Sequence, residues 1–379
     1  MDRVQLSIVD AFCGGGLLQT DNGPAFGSPL RILQAVELAE RRINQDRRKP
    51  LCIEAKYFFS DIDPHHIAYL DKSLRDFGYG SRIGKDIHLT TQSAEQAIDS
   101  HAGLIVNRNA PSKAIFVLDQ FGYKDVPMES LRLIAHKLAK AEVILTLGVD
   151  AMLNYLTEDR PPSAVLSAYG IDQHFVSEWR QRSSMSGERA KFQHRIRAAL
   201  HLKSGFPFVT PFLIQSPDEN RWMMIAHLSQ HQAARDEMLQ THWDNDGIFT
   251  NFGSSDFYDL RYVASEDDDG SLFLFDAGGR RSMREALTSS LPERVWSYLA
   301  EKGEGASVTQ LLSSIGNNTA ATNGDLLDEL RRMAQHGELL VQTRDGVTRR
   351  PATTPSVTDQ ITRPNQGILM VGMRPQPRK

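Results

Sequence analysis

The chain has 379 residues, of which 40% are hydrophobic and 24% charged, with 43 lysines and arginines against 47 acidic residues and a formal net charge of -4. That balance excludes wholesale disorder and a fibrous repeat, and the length calls for at least two cores. It also excludes a globally basic nucleic-acid binder, so any such role has to come from a local surface.

The longest apolar runs, such as 115–118 and 143–147, are strand-sized and fall short of the roughly 20 residues that span a bilayer. The first ten residues lack a signal-peptide apolar region and a small-residue cleavage site, so a cytoplasmic protein is expected. Cys13 and Cys52 offer neither a disulfide framework nor a cysteine-based metal cluster.

Over the first 150 residues short apolar runs alternate with amphipathic stretches, the pattern of βαβ units and a parallel sheet. Strands are predicted at 7–12, 55–60, 87–90, 114–118 and 142–147. The first helix is predicted to open at Ser28-Pro29, a hydroxyl cap followed by proline, and the second at Asp63-Pro64 with Asp63 as cap. Residues 150–205 read as a helical insertion. Apolar runs at 208–214 and 222–226, separated by Ser-Pro-Asp-Glu-Asn-Arg, read as a hairpin. Five parallel strands finished by an antiparallel hairpin form the architecture of Rossmann-like methyltransferases, so the fold class is α/β with such a sheet over 1–250. Residues 251–284 read as connecting strands and linker. Three helices and an Asp345-Gly346 hairpin over 285–350 match a winged helix, and 351–379 reads as a basic flexible tail.

The sharpest motif is Asp10-Ala11-Phe12-Cys13-Gly14-Gly15-Gly16 at the end of the first strand. Glycines there let the backbone turn and approach a ligand closely. The spacing Asp-x-Phe-x-Gly-x-Gly resembles motif I of S-adenosylmethionine-dependent methyltransferases, in which Asp10, Phe12, Gly14 and Gly16 would shape the cofactor loop. Asp61, ending the second strand, is placed to accept both hydrogen bonds of a ribose diol. The third strand ends without a carboxylate, which leaves Gln92 or Ser93 for the adenine amino group. The fourth strand delivers Asp119-Gln120-Phe121-Gly122-Tyr123, with Asp119 beside the crevice to orient an acceptor amine. Gln120 and Tyr123 are its candidate secondary contacts; the alternative for Tyr123 is simple packing of the loop. His227 and His231 invite a zinc reading, but no third ligand is evident and no metal is expected.

Phe121-Gly122-Tyr123-Lys124 with Val126-Pro127, the helix start Gly27-Ser28-Pro29-Leu30, the Asp10 loop, and His227-Leu228-Ser229-x-His231-x-Ala233 followed by Met238 and Trp243 together resemble the three-Cys-motif partner proteins (TcmP). The resemblance covers most of residues 5–250. It implies a bacterial-type, methyltransferase-like protein that occurs beside a three-cysteine protein of radical-S-adenosylmethionine type. The family pattern at the fourth strand is Asp-Pro-Phe-Gly, and Gln120 departs from it.

Two functions follow from these readings. One is an S-adenosylmethionine-dependent methyltransferase acting on nucleic acid, or together with the three-cysteine partner. The other is a non-catalytic scaffold of the same fold that binds nucleic acid or the partner. Arg344, Arg349 and Arg350 are the candidate phosphate contacts of the wing.

Overall fold

The computed structural model describes residues 2–21, 23–106, 113–154, 162–181, 185–215, 222–245, 250–252, 272–303 and 305–364. It divides into two compact units, Met1–Arg235 and Asp236–Lys379.

In the first unit, β1 (Asp2–Asp10) leads into the hairpin β2 (Leu17–Thr20) and β3 (Gly23–Phe26), then α1 (Ser28–Asn44), β4 (Leu51–Asp61), α2 (Pro64–Asp76) and β5 (Ile87–Thr91). The alternation continues through α3 (Ala94–Val106), β6 (Lys113–Leu118), α4 (Met128–Lys137) and β7 (Ala141–Gly148). The helices α5 (Val149–Asn154), α6 (Ala164–Ala168), α7 (Gln173–Gln181) and α8 (Met185–Lys203) form the insertion before β8 (Phe208–Gln215) and β9 (Trp222–Ser229). The strands lie in the order β5-β4-β1-β6-β7-β9-β8. The first five of these are mutually parallel, whereas β9 runs antiparallel to both β7 and β8. This is the α/β sheet of Rossmann-like methyltransferases that the sequence predicts. The C-terminal halves of β1 and β4 are buried on both faces, at Ile8, Val9, Phe58 and Phe59, whereas β6 buries every second residue, Phe116 and Leu118, as does the start of β7 with Val143 and Leu145.

The β2–β3 hairpin is an addition that the sequence reading missed, since that reading ran the glycine loop directly into a helix. Its base is closed by the Gly27 N–H donating to the Gly16 carbonyl at 2.8 Å, and the Phe26 ring meets Phe77 edge-on at 4.9 Å. The expected hydroxyl cap at Ser28 is corrected: Gly27 is the N-cap of α1 and no side chain caps it. Asp63 does cap α2, accepting the His65 N–H at 2.8 Å.

The second unit contains most of α9 (Gln232–Asp244), the antiparallel pair β10 (Thr250–Phe252) and β11 (Leu272–Leu274), α10 (Ala277–Lys302), β12 (Ala306–Ser307), α11 (Val308–Ile315), α12 (Asn323–Gln335), β13 (Leu340–Gln342) and β14 (Gln360–Thr362). Met283, Leu287, Leu291, Val295 and Leu299 form the buried stripe of α10 and pack with Leu311, Leu326, Leu330 and Ile361. Pro292 interrupts this helix internally and leaves the Thr288 carbonyl without its usual N–H donor. Arg332 Nη2 takes that place at 3.2 Å.

The order β12-β14-β13 corrects the reading of 351–379 as a flexible tail, because residues 360–362 supply the central strand of this sheet. Ile361 is buried, and the buried Asp359 carboxylate pairs with Arg349 and accepts the Ser356 N–H at 2.7 Å. The expected hairpin at 339–348 turns at Asp345-Gly346 and pairs through one antiparallel bridge, Gln342 to Thr348, flanked by Thr343 N–H to Val347 O and Arg349 N–H to Val341 O, both at 2.8 Å. Ending the chain after Arg350 is expected to abolish the cooperative calorimetric transition of the second unit; a retained transition contradicts the placement of β14.

Candidate functional site

Strand register explains how residues distant in sequence meet. Asp10 at the end of β1 lies opposite Phe59 of β4 and Val117 of β6. Asp61 and Asp119 each follow two residues further on, and in a strand two residues preserve the side-chain direction. Three carboxylates therefore stand at the C-terminal ends of three adjacent parallel strands, the usual location of ligands in open α/β sheets.

Asp10 is fully buried. It accepts the Phe12 N–H at 3.1 Å and the Ser28 hydroxyl at 2.6 Å. Burial raises its carboxyl from 3.8 to about 6 against the opposing effect of those two donors, and the nearby charges of Asp119 and Asp61 add to the rise. The same burial, with Asp10 and Asp61 beside it, pushes the Cys13 thiol well above its ordinary value, so Cys13 packs as a small apolar group.

The glycine loop is held from both sides. Cys13 N–H donates to the Ser60 carbonyl at 3.0 Å, and Gly14 N–H donates to Asp61 Oδ2 at 3.0 Å. Gly14 and Gly16 have φ of 58° and 80°, and a Cβ at Gly16 would stand 2.7 Å from Leu70. Both positions need glycine for the backbone, and Gly16 for space as well.

Asp61 does more than the sequence indicated. Besides the Gly14 N–H, its Oδ1 accepts the Asp63 N–H at 2.9 Å and faces His66 Nδ1 at 3.1 Å. A carboxylate has about four lone-pair positions, so Oδ2 retains room for one further donor and cannot satisfy a diol alone. Because a carboxylate only accepts, the shared proton belongs on His66 Nδ1, which leaves Nε2 of this half-exposed ring as an acceptor. His66 is thus a site residue that was not among the candidates read from the sequence. Gln92 binds inward through Oε1, which accepts the Ser100 hydroxyl at 3.1 Å, so the oxygen meant for an adenine amino group is already engaged.

After β6, Asp119 is exposed, with no hydrogen bond or ion pair among the described residues. Gln120 is 1% exposed, and its Oε1 accepts the N–H groups of Asp125 and Val126 at 3.0 and 3.3 Å. Tyr123 is 2% exposed, which corrects its assignment as an acceptor-facing ring in favour of loop packing. Gly148 N–H grips the Gly122 carbonyl at 2.9 Å, and the buried Tyr169 hydroxyl donates to Val126 O at 2.9 Å. These contacts brace a turn from which Phe121 projects with 96% exposure. Phe121 was not among the candidate site residues, although it matches the phenylalanine of the Asp-Pro-Phe-Gly pattern.

In the second unit, Arg344 and Arg350 are exposed, whereas Arg349 is committed to Asp359 and is corrected from a phosphate contact to a structural ion pair. His227 Nε2 faces Glu142 Oε2 at 3.0 Å, and His231 Nδ1 accepts the Ala233 N–H at 3.1 Å. Each histidine thus has a local partner. Among the described residues no helix is long and apolar enough to cross a membrane.

No protein-family model and no curated protein matches the chain. Solved structures with likeness to it include a protein provisionally named an rRNA-methylase from Clostridium thermocellum, at 11% identity over 59% of this chain and 88% of that one, with a TM-score of 0.26. Another is human methyltransferase-like protein 13 in complex with SAH, at 14% identity over 60% of this chain and 72% of that one, with a TM-score of 0.27. Scores this low leave the strand order itself as the ground for the fold.

Ionisation of Asp10 has a definite thermodynamic sign. Below pH 3.8 the group is neutral in both folded and unfolded chains and its contribution is intact; as pH rises towards about 6 the unfolded chain loses the proton first and stability falls. At about 1.4 kcal/mol per pH unit the loss is on the order of 3 kcal/mol. Asp10→Asn cannot ionise, so in denaturant titrations its stability relative to wild type is expected to improve by that amount between pH 4 and 6.5. Parallel pH profiles contradict the desolvated carboxylate.

Proposed function

We propose that the first unit binds S-adenosylmethionine at the C-terminal ends of β1 and β4 and transfers its methyl group to an acceptor held at Asp119. The observation that carries this reading is the convergence of Asp10, Asp61 and Asp119 at neighbouring strand ends, beside a glycine loop tied to Asp61. Such a crevice favours a ligand bearing positive charge. When bound, the cofactor supplies an electrophilic methyl group on a cationic sulfur. Asp61 Oδ2, which retains one acceptor position, would hold a ribose hydroxyl, while Gly14 and Gly16 would let the loop approach the cofactor closely. The exposed Asp119 aligns the acceptor amine and takes up its proton.

The order helix, strand, helix, helix, strand, strand in the second unit supports a winged helix, with Arg344 and Arg350 as sequence-tolerant phosphate contacts. The resemblance to three-Cys-motif partner proteins supports a radical-S-adenosylmethionine-type partner. Burial of Tyr123, which matches its reading as loop packing and removes it as an acceptor-facing ring, favours the second reading, a scaffold that keeps the pocket without catalysing transfer.

The two readings separate on paired variants. Asp61→Ala is expected to weaken S-adenosylhomocysteine binding at least about 10-fold, because it removes both a ligand hydrogen bond and the loop anchor. Asp119→Asn is expected to leave that affinity within about 2-fold while lowering turnover about 100-fold, followed by nucleoside mass spectrometry of nucleic acid incubated with methyl-deuterated cofactor. Unchanged binding in Asp61→Ala overturns the pocket; absence of transfer by wild type favours the scaffold.

A further inference from the structure

We propose that the edge of β4 left open at Ile53 and Ala55 is a docking site for a protein partner, which adds an extended segment to the sheet there and places an arginine or lysine of that segment beside Glu40. This surface lies towards the opposite end of β4 from Asp61, so the proposal stands independently of the methyl-transfer reading.

On one side β4 pairs with β1 from Leu51 to Phe59. On the other, pairing with β5 begins only at Tyr57, so residues 51–56 have no strand beside them there. Alternate residues of a strand direct their N–H and C=O to opposite neighbours. The Tyr57 N–H donates to the Asp86 carbonyl at 2.8 Å, which makes the odd-numbered residues of β4 the ones that face away from β1. Side chains of α1 close the start of this edge: Asn44 bonds both the N–H and the C=O of Leu51 at 2.8 Å, and Glu40 Oε2 accepts the Ile53 N–H at 2.9 Å. The cover stops there. The Ile53 carbonyl and the N–H and carbonyl of Ala55 have no hydrogen bond among the described residues. Both residues are half-buried and line a groove of about 480 Å³.

Unpaired strand groups are a template for another strand, and strand addition takes its affinity from the backbone and its specificity from the side chains alongside. Here the charges around the groove select the segment. Glu37, Glu40, Glu54 and Asp86 line it against Lys56 and Arg82. Arg82 is engaged by Asp86 at 2.7 Å and Glu37 at 3.4 Å, and Glu54 pairs with Arg3 at 3.0 Å. Glu40 has no ion pair among the described residues. Ala55 and Val36 of α1 pack against the same core cluster, so Lys56, the next residue, points to the other face of the sheet and does not neutralise Glu40. Residues opposite each other in paired strands share a face. A cationic side chain opposite Ile53 or Ala55 therefore stands on the α1 face and meets Glu40, whereas an acidic one meets the like charge of Glu37 and Glu40.

The test titrates the isotopically labelled full chain, at low ionic strength, with a cyclised β-hairpin peptide whose outer strand reads Thr-Val-Arg-Val-Thr, and with the same peptide carrying Glu in place of Arg. Amide shifts and amide exchange are read by NMR. In the free protein the Ala55 amide is expected to exchange at least about 100-fold faster than the amides of Cys52 and Glu54, which face β1. The Arg peptide is expected to bind saturably, shifting the Ala55 amide and slowing its exchange, and the Glu peptide to bind about 5- to 10-fold more weakly. Glu40→Gln keeps an acceptor for the Ile53 N–H and removes the charge, so the two peptides are expected to bind it within about 2-fold of each other. Ala55→Pro removes the open N–H, a change that a strand tolerates on its unpaired side, and is expected to weaken the Arg peptide at least about 10-fold. Should that variant fail to fold, protection of the Ala55 amide by the Arg peptide in wild type decides alone. Slow exchange of the Ala55 amide in the free protein, no saturable binding of the Arg peptide, binding that leaves that amide unprotected, or full affinity in a folded Ala55→Pro overturns the docking site. Equal affinity of wild type for the two peptides overturns the basic partner.

Discussion

The site depends on a desolvated carboxylate. Asp10 has no contact with water, and the two donors given to it, one from the backbone at Phe12 and one from Ser28, do not offset the cost of its charge. Two more carboxylates at the ends of the flanking strands increase that cost. A parallel sheet places these groups together with no choice of rotamer, because neighbouring strand ends share one edge and one pleat direction. The arrangement is unfavourable in isolation and becomes favourable when positive charge enters the crevice. This links the stability of the first unit, its pH dependence and its ligand preference through one group.

The glycine loop and the β2–β3 hairpin transmit this constraint. Asp61 grips the Gly14 N–H, Gly16 offers its carbonyl to Gly27, and Ser28 returns to Asp10. The start of α1 is thereby tied to the end of β1 across the hairpin. Losing Ser28 as a helix cap is the consequence of this use: its hydroxyl lowers the cost of the Asp10 charge instead of satisfying a helix N–H. The hairpin also sets the proposed cofactor loop between two fixed points, Asp61 on one side and Gly27 on the other.

The parallel strands and the hairpin after the insertion were legible because buried strands leave short apolar runs bounded by turn residues. Asp10, Gly14, Gly16, Asp61 and Asp119 were legible because they sit at strand ends. What was not legible arose from contacts distant in sequence. The β2–β3 hairpin is short and only half apolar, so it reads as loop. His66 looks like surface until Asp61 is seen to hold it. Tyr123 and Phe121 cannot be sorted by composition, since a buried Gln120 decides which ring turns outward. The strand at 360–362 hides in a Pro- and Thr-rich segment because Ile361 is its one buried apolar side chain and the rest of its anchoring is backbone hydrogen bonding and the Asp359–Arg349 pair, which composition does not show.

The most direct measurement is calorimetric titration of S-adenosylmethionine and S-adenosylhomocysteine at pH 6, in two buffers of different ionisation enthalpy. A cation entering beside a carboxyl that titrates near 6 must favour its ionised form. S-adenosylmethionine is therefore expected to bind saturably with release of a fraction of a proton, and S-adenosylhomocysteine, which lacks the cationic sulfur, to release fewer. Proton uptake on binding, or no saturable binding of S-adenosylmethionine, would contradict an acidic crevice built for a cationic cofactor.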